Sequence, residues 1–294
     1  MKIAYNGAVV SAADARISAF DHGFLYGMGL FETFRTYGGK PYLLERHLRR
    51  LADGCRELRI RYVPDAQRLA VLIRRTAEAN GLQGDAYVRL TVSAGDGGLG
   101  LPAADYEAPQ EIVMVKPLPP AAPLLYDQGR ELRLLRTPRN TPELAMRLKS
   151  LHYMNNIAAK RELADADAAP GAEGLMRTAD GWLAEGIVSN LFFAAGGEVR
   201  TPSLDTGILA GITRERVIEL AQDAGYPVRE GRWSWEELLA AEEVWTTNSV
   251  QELVPVTTLA GLDGKLASPR AGRAAGPIVR ELLERYRADA GSPG

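Results

Sequence analysis

Four prolines fall within KPLPPAAPLL, at positions 117, 119, 120 and 123, and interrupt a chain of otherwise alternating strand and helix patterns. Proline fixes φ and carries no backbone N–H, so this stretch belongs to neither flanking element. We interpret residues 117–125 as a linker between an N-terminal α/β domain, 1–116, and a C-terminal α/β domain, 126–294. A chain of 294 residues is long enough for two such domains.

Apolar periodicity predicts the elements of each domain. Leu44, Leu48, Leu51, Cys55 and Leu58 recur at the spacing of one helix face. The other elements predicted for the first domain are strands at 3–5, 31–37, 41–44, 87–95 and 111–115 and a helix at 65–80. Those predicted for the second are strands at 131–135, 173–177, 190–194, 198–201, 227–229 and 243–246 and helices at 153–164, 213–224, 235–240 and 276–287. Short turns between many strands favour an α+β fold with mixed sheets over a doubly wound parallel sheet.

Composition narrows the functional classes. The net charge is −2, so no global field attracts nucleic acid or an anionic membrane. One cysteine, Cys55, excludes an intramolecular disulfide, and its helical spacing predicts core packing. No apolar run approaches the roughly 20 residues that span a bilayer, and the N-terminus has no signal-peptide core, so we expect a cytoplasmic protein. Three histidines without ligand spacing predict no metal site.

Two residues stand out in local context. Lys149 lies in RLKSLHYMNN and Glu185 in AEGIVSNLFF. Alone, each is a common surface residue, a solvated lysine and a hairpin acid. The segment 148–153, however, leads into the helix predicted near 153, so the amine of Lys149 can project inward. A lysine amine that does covalent chemistry most often partners pyridoxal phosphate.

These motifs occur in one order with DHGFLYG, LFETFR, TPSLDTGILAGITR and TTNSVQELVPV. Together they resemble the fold-type IV pyridoxal-phosphate enzymes, the class IV aminotransferase family, over about residues 3–257. The resemblance implies a two-domain fold like that of D-amino-acid aminotransferase, with pyridoxal 5'-phosphate as cofactor. It implies that Lys149 is the Schiff-base lysine, that Tyr153 points its phenol at the cofactor ring, and that Asn155 and Asn156 give structural support. Glu185 would face the pyridine nitrogen, where a carboxylate favours the protonated ring.

The phosphate of the cofactor requires donors. Gly211, Ile212 and Thr213 lead into the helix predicted from 213, whose first backbone N–H groups point outward. The resemblance adds Asn248 and Ser249 as a second donor set. It also adds Arg50, whose guanidinium offers a fork of donors suited to phosphate.

The sequence motifs leave the reaction open between two branches of the family. The motifs around Lys149 and in the phosphate segments are most similar to the aminodeoxychorismate lyases, which release pyruvate and 4-aminobenzoate for folate biosynthesis. D-amino-acid aminotransferases trap the substrate carboxylate with a strand tyrosine and a loop Arg and His, whereas here Phe31 takes the tyrosine position and 94–102 lacks both. Branched-chain aminotransferases remain an alternative, because YVR at 87–89 and GDGGLG resemble theirs.

The remaining expectations concern substrate and partners. Arg35 and Arg89 are candidates for binding substrate carboxylates, with Phe31 beside them. The resemblance implies a homodimer acting on a small molecule. A non-catalytic binding module is disfavoured because both Lys149 and Glu185 are present.

Overall fold

The computed structural model describes residues 1–119, 123–267 and 275–291. The chain divides into two compact units. The described part of the first unit consists of residues 1–119, 148–152 and 290–291, and that of the second of 123–147, 153–267 and 275–289. Residues 148–152, which include Lys149, therefore pack with the first unit although the predicted boundary assigned them to the C-terminal domain.

The first unit is an antiparallel sheet with helices packed against it. The elements are β1 (Lys2–Tyr5), β2 (Ala8–Ser11), α1 (His22–Tyr26), β3 (Gly29–Tyr37), β4 (Lys40–Pro41), α2 (Leu44–Glu57), α3 (Ala66–Ala79), β5 (Ala86–Ser93) and β6 (Gln110–Pro117). The strand order is β2-β1-β6-β5-β3-β4. Its core joins the buried faces of the helices to those of the strands, and Cys55 is fully buried there, as predicted.

Three details of the first unit differ from the predicted elements. The strand β2 was not predicted. The strand predicted at 41–44 is only Lys40–Pro41, because the chain turns at Leu43, with φ of 51°, and α2 begins at Leu44. The short helix α1 was missed. It begins at His22 because the carboxylate of Asp21 accepts a hydrogen bond from the amide of Gly23, and it ends at Gly27, with φ of 72°.

The second unit is built on a mixed sheet. The elements are α4 (Pro123–Gln128), β7 (Arg130–Leu134), α5 (Met154–Asp165), β8 (Glu173–Arg177), β9 (Leu183–Gly186), β10 (Asn190–Ala195), β11 (Glu198–Pro202), α6 (Ile212–Asp223), β12 (Val228–Gly231), α7 (Trp235–Leu239), β13 (Glu243–Asn248), β14 (Glu252–Ala260), β15 (Leu266–Ala267) and α8 (Pro277–Asp289). The order is β12-β11-β10-β13-β14-β7-β8-β9, with β15 on β14. The sheet combines parallel pairs, such as β7 with β8, and antiparallel pairs, such as β8 with β9. The prediction of mixed α+β sheets is confirmed.

The predicted linker, residues 117–125, overlaps a strand at its first residue and a helix at its last three. Pro117 is the last residue of β6, and α4 begins at Pro123. Residues 120–122 of the predicted linker lie outside the described residues. In the part of the chain that the structure describes, no helix combines the length and apolar character needed to cross a bilayer.

Candidate active site

Lys149 is held by its backbone against the first half of β3. Its carbonyl accepts a hydrogen bond of 2.9 Å from the amide of Phe31, and the amide of Leu151 donates one of 3.0 Å to the carbonyl of Gly29. An antiparallel bridge between Leu30 and Ser150 lies between these two bonds. The lysine therefore has a fixed position on the edge of β3, set by sheet-like pairing.

The ring of Phe31 contacts two cationic side chains. Lys149 Nζ lies 4.8 Å from the ring centroid, and the Cζ atom of Arg89 lies 3.7 Å from it. Such cation–π contacts are favourable when the cation lies within about 6 Å of the ring. Phe31 and Thr33 share one face of β3, and Arg89 of β5 is the register partner of Thr33. Two of the three predicted substrate residues are thus next to the predicted catalytic lysine.

Arg35, the third predicted substrate residue, has a different environment. Its Nη2 atom lies 3.7 Å from a carboxylate oxygen of Asp85, and its Cζ atom lies 4.4 Å from the ring centroid of Tyr37. The guanidinium of Arg35 therefore already faces an acid of its own unit. Its role in binding substrate remains a prediction.

A buried ionic cluster beside these residues was missed by the sequence analysis. Glu32 is 1% exposed and accepts hydrogen bonds from Arg50 Nε (2.8 Å), Arg50 Nη2 (2.6 Å) and His47 Nδ1 (2.7 Å). Burial alone would raise the pKa of Glu32, but the charge of Arg50 and the hydrogen bond from His47 outweigh it and lower the pKa to about 2. Arg50, the predicted phosphate arginine, therefore has two of its nitrogens held by a carboxylate.

The surroundings of His47 favour its neutral form. Burial lowers the pKa of His47, and the charges of Arg50 and Lys149 act in the same direction, against the raising effect of Glu32. A neutral His47 donates from Nδ1 to the carboxylate. His47 and Arg50 are three residues apart on α2 and therefore share one helix face. This spacing was the sequence signal from which their pairing with a common partner could have been predicted.

Glu185 is the centre of the candidate site in the second unit. It lies on β9 and is 5% exposed. Its Oε1 accepts from Arg139 Nε at 2.8 Å, and its Oε2 accepts from the amide of Leu209 at 3.0 Å and from Asn190 Nδ2 at 3.2 Å. Asn190 also donates to the carbonyl of Leu209, so it both orients the glutamate and fixes the chain before α6.

Arg139 and Arg147 were also missed. Arg139 Nη1 donates to the side-chain oxygens of Asn155 at 2.8 Å and Asn156 at 3.3 Å, so both asparagines support the arginine that pairs with Glu185. Arg147 Nε lies 3.9 Å from Glu185 Oε1, and burial, reinforced by the charge of Arg139, lowers the pKa of Arg147 to about 10. Both arginines lie in the loop between β7 and α5 and reach Glu185 on β9 only in the folded chain. The local sequence therefore does not indicate that they pair with it.

The predicted phosphate segments of the second unit meet at the start of α6. The N-cap residue, Gly211, makes no side-chain capping bond, and the hydroxyls of Thr213 and Ser249 lie 3.0 Å apart. A Cβ on Gly211 would collide with Asn190 Oδ1, so the backbone approaches closely only because this residue is glycine. Uncapped N–H groups at Ile212 and beyond, with two hydroxyls beside them, fit a phosphate dianion.

Two further predicted residues belong to the same unit. Asn248 Oδ1 accepts from the amides of Val250 and Gln251, at 3.0 and 2.8 Å, so its side chain closes the turn that presents Ser249. Tyr153 is half-buried at the N-cap of α5, and its carbonyl accepts from the amide of Ile157. Within residues 1–119, 123–267 and 275–291, no group of three or more His, Cys, Asp or Glu is placed to hold a metal ion.

Comparison with known proteins gives the family. The model of the amino-transferase class IV family matches residues 29–259. The chain belongs to this family. It is 44% identical over 255 residues to the aminodeoxychorismate lyase of Bacillus subtilis (strain 168), covering 86% of this chain and 85% of that one.

Solved structures of the class IV family share the fold. The 4-amino-4-deoxychorismate lyase from Pseudomonas aeruginosa is 31% identical, with a TM-score of 0.83 and 98% of each chain covered. A branched-chain amino acid aminotransferase solved with pyridoxamine 5'-phosphate is 28% identical, with a TM-score of 0.86 and with 99% of this chain and 95% of that one covered. The predicted family and fold are confirmed. Because class IV enzymes use pyridoxal phosphate, the predicted cofactor class is confirmed as well.

Proposed function

We propose that this chain is a pyridoxal-phosphate-dependent 4-amino-4-deoxychorismate lyase, which releases pyruvate and 4-aminobenzoate. The observation that carries the proposal is the group of Lys149, Phe31 and Arg89 in a chain 44% identical to such a lyase. Phenylalanine at position 31 lacks the hydroxyl with which D-amino-acid aminotransferases help to trap a substrate carboxylate. Arg89 supplies a positive charge on the same ring as the lysine, suited to a substrate that carries carboxylates.

Each site residue has a distinct task in this proposal. Pyridoxal phosphate, when bound, supplies an aldehyde for the substrate amine and a ring that accepts electrons from the reacting carbon. Lys149 removes the proton from the carbon that bears the nitrogen, and the pairing of its backbone with β3 positions the residue. The adjacent C–O bond then breaks with the electron pair going to oxygen, and the carbon ring becomes aromatic. The enolpyruvate that leaves takes up a proton on carbon and becomes pyruvate. Glu185 would face the cofactor nitrogen, and Tyr153 would point its phenol at the ring.

The phosphate group of the cofactor would be held by the remaining residues of the proposal. The start of α6 at Gly211, Ile212 and Thr213 supplies backbone donors, and Thr213 and Ser249 add hydroxyls. Asn248 positions Ser249 through the turn that it closes. Arg50 contributes positive charge, oriented by its two bonds to Glu32.

A branched-chain or D-amino-acid aminotransferase is the second candidate. The structural similarity to the branched-chain aminotransferase solved with pyridoxamine 5'-phosphate favours the branched-chain form, with a TM-score of 0.86. Both reactions begin with the same proton removal by Lys149, so the residues described above serve either. The two reactions differ in the step after this proton removal. The lyase releases pyruvate from the substrate, whereas the aminotransferase converts the substrate to a keto acid.

One preparation and two assays separate the candidates. The protein is incubated with aminodeoxychorismate, and 4-aminobenzoate is followed by fluorescence and pyruvate by a coupled dehydrogenase. The second assay follows keto-acid formation from leucine, valine or D-alanine with 2-oxoglutarate. We expect equimolar 4-aminobenzoate and pyruvate, with at most weak transamination. Efficient turnover of a branched-chain amino acid without 4-aminobenzoate would move the assignment to the aminotransferase.

We also propose a homodimer. The family resemblance implies it, and the first unit exposes the large apolar side chains of Phe24 (74%), Leu99 (80%) and Leu101 (86%), which a partner surface would cover. Analytical ultracentrifugation of the active protein tests this, and a fully active monomer would contradict it. The cytoplasmic location stays a prediction, for which cell fractionation is the test.

A further inference from the structure

Arg139 connects Glu185 to the start of α5. Its Nε atom donates to Glu185 Oε1 at 2.8 Å, while its Nη1 atom reaches the side-chain oxygens of Asn155 and Asn156. Asn156 is in turn fixed by a bond of 2.6 Å from its Nδ2 to the carbonyl of Ile187. The guanidinium therefore bridges the carboxylate to an anchored asparagine pair and cannot turn without breaking several bonds.

The charges around Glu185 are unequal. In the part of the chain described, the charged side chains facing it are Arg139 and Arg147, both from the segment between β7 and α5, while β10 and residue 209 contribute neutral amides. Arg147 also donates to the carbonyls of Asn140 and Gly207, so it ties two loop segments together. With a pKa of about 10, lowered by burial, it is still charged at neutral pH. Two cations thus face one anion.

We propose that Arg139 is a positioning residue that orients Glu185 and limits how strongly this carboxylate holds a proton on the cofactor ring nitrogen. The proposal rests on the assignment of Glu185 in the proposed function. The carboxylate and the guanidinium form an ion pair with a distance of 2.8 Å between Arg139 Nε and Glu185 Oε1. A positive charge this close disfavours further protonation of every group around it, including a ring nitrogen that faces the same carboxylate.

The direction of the effect follows from charge alone. Replacing Arg139 by a neutral side chain removes a cation, so the coupled pair of carboxylate and ring nitrogen keeps its proton to higher pH. An elementary charge at a few ångströms, in the effective dielectric typical of such sites, shifts a midpoint by about one pH unit or more. A residue that merely stabilised the fold would change thermal stability and leave this midpoint in place.

The test is a titration of the bound cofactor. Pyridoxal phosphate labelled with ¹⁵N in the ring is bound to the parent protein, Arg139→Gln and Arg139→Lys, and the nitrogen chemical shift is followed against pH. We expect the midpoint of Arg139→Gln to lie higher by about one unit or more. Arg139→Lys, which keeps the charge, should stay within about half a unit of the parent. Arg133→Gln is the matched control, because Arg133 pairs with Glu131 at 2.7 Å elsewhere in the same unit.

The outcomes separate this proposal from the proposed function. Equal midpoints for the parent and Arg139→Gln would overturn it. If the glutamine variant does not fold, the lysine variant decides, and a midpoint raised by a full unit there would overturn the role of the charge. A Glu185→Gln variant that titrates like the parent would remove the premise itself. Whether 4-aminobenzoate forms concerns the reaction and does not alter the titration.

Discussion

The carbonyl of Lys149 accepts a hydrogen bond of 2.9 Å from the amide of Phe31. The same phenyl ring lies 4.8 Å from the lysine Nζ, so one residue of β3 contacts both the backbone and the amine. The predicted catalytic lysine, although it directly precedes α5 in sequence, belongs to the packing of the first unit. Its position is set by a strand that lies far earlier in the chain.

The first prediction is that Lys149 carries the cofactor. Borohydride treatment of the yellow holoprotein should fix pyridoxal phosphate on a peptide that contains Lys149, detected by mass spectrometry. Lys149→Ala should lose this label and the release of 4-aminobenzoate. Lys265→Ala, which removes an exposed lysine paired with Asp263, should keep both. Label recovered on a different lysine would contradict the assignment.

A second prediction concerns Glu185→Gln. The amide occupies nearly the same volume and keeps an acceptor for Arg139, so the cofactor should remain bound. It carries no charge with which to hold a proton on the ring nitrogen. Preorganised electrostatic contributions of this kind are worth about 3 kcal/mol, so kcat should fall about 100- to 1000-fold. Glu198→Gln, which alters a carboxylate paired with Arg200, is the control and should leave kcat unchanged; steady-state kinetics compare the two.

The local sequence was enough to predict the helices and strands whose apolar residues recur with a clear helical or strand period. The face of α2, the strands β3 and β5, and the capped start of α3 follow from apolar spacing and from Asp65, which accepts from the amide of Arg68. By contrast, β14 was missed because it contains Pro255, which argues against a strand in the middle of a sheet. The structure accommodates it beside a register shift between Val256 and Thr258.

The motif residues of the site were found from sequence, but their partners were not. Glu185 stands in a recognisable motif, whereas Arg139 reaches it from a loop after β7 and has no local signal. Glu32 lies among apolar residues on β3, and only the fold brings His47 and Arg50 to it. Buried charges require partners, but the sequence does not tell which distant residues supply them.

The third prediction follows from the buried carboxylate of Glu32. Because the pKa of Glu32 is lowered to about 2 in the folded protein, its stabilisation is present above about pH 4.5 and is lost as the pH falls toward 2. Glu32→Gln leaves Arg50 without its anion and should cost about 3–5 kcal/mol of unfolding free energy at neutral pH. The difference between parent and variant should shrink by about 3 kcal/mol on acidification.

Urea unfolding at a series of pH values measures that difference, and the titrating groups that do not contact Glu32 are common to both proteins and cancel. His47 does not cancel, because Glu32 raises its pKa in the parent only. Thr33→Ser, a change at the next position of β3, serves as the control and should run parallel to the parent. A parent–variant difference that is constant from neutral pH to about pH 3 would show that Glu32 is not held as an anion.

The fourth prediction is that Cys55 is inert in the native protein. It is fully buried in the core of the first unit, and burial raises the pKa of its thiol to about 12. The thiolate is the reactive form, so almost none is present near neutral pH. A thiol reagent should label the native protein at a negligible rate and react with one equivalent in denaturant. Rapid stoichiometric labelling of the native protein would contradict this burial.

The last prediction separates the two candidate substrate arginines. Arg89 shares the ring of Phe31 with Lys149, whereas Arg35 faces Asp85. A hydrogen-bonded charge to a substrate carboxylate is worth about 1.5–3 kcal/mol, so Arg89→Ala should raise the KM for aminodeoxychorismate about 10- to 100-fold. Arg35→Ala should change it by no more than about threefold, since its guanidinium is committed to an acid. Initial-rate measurements on both variants decide between them, and a larger effect at position 35 would assign the substrate carboxylate to Arg35 instead.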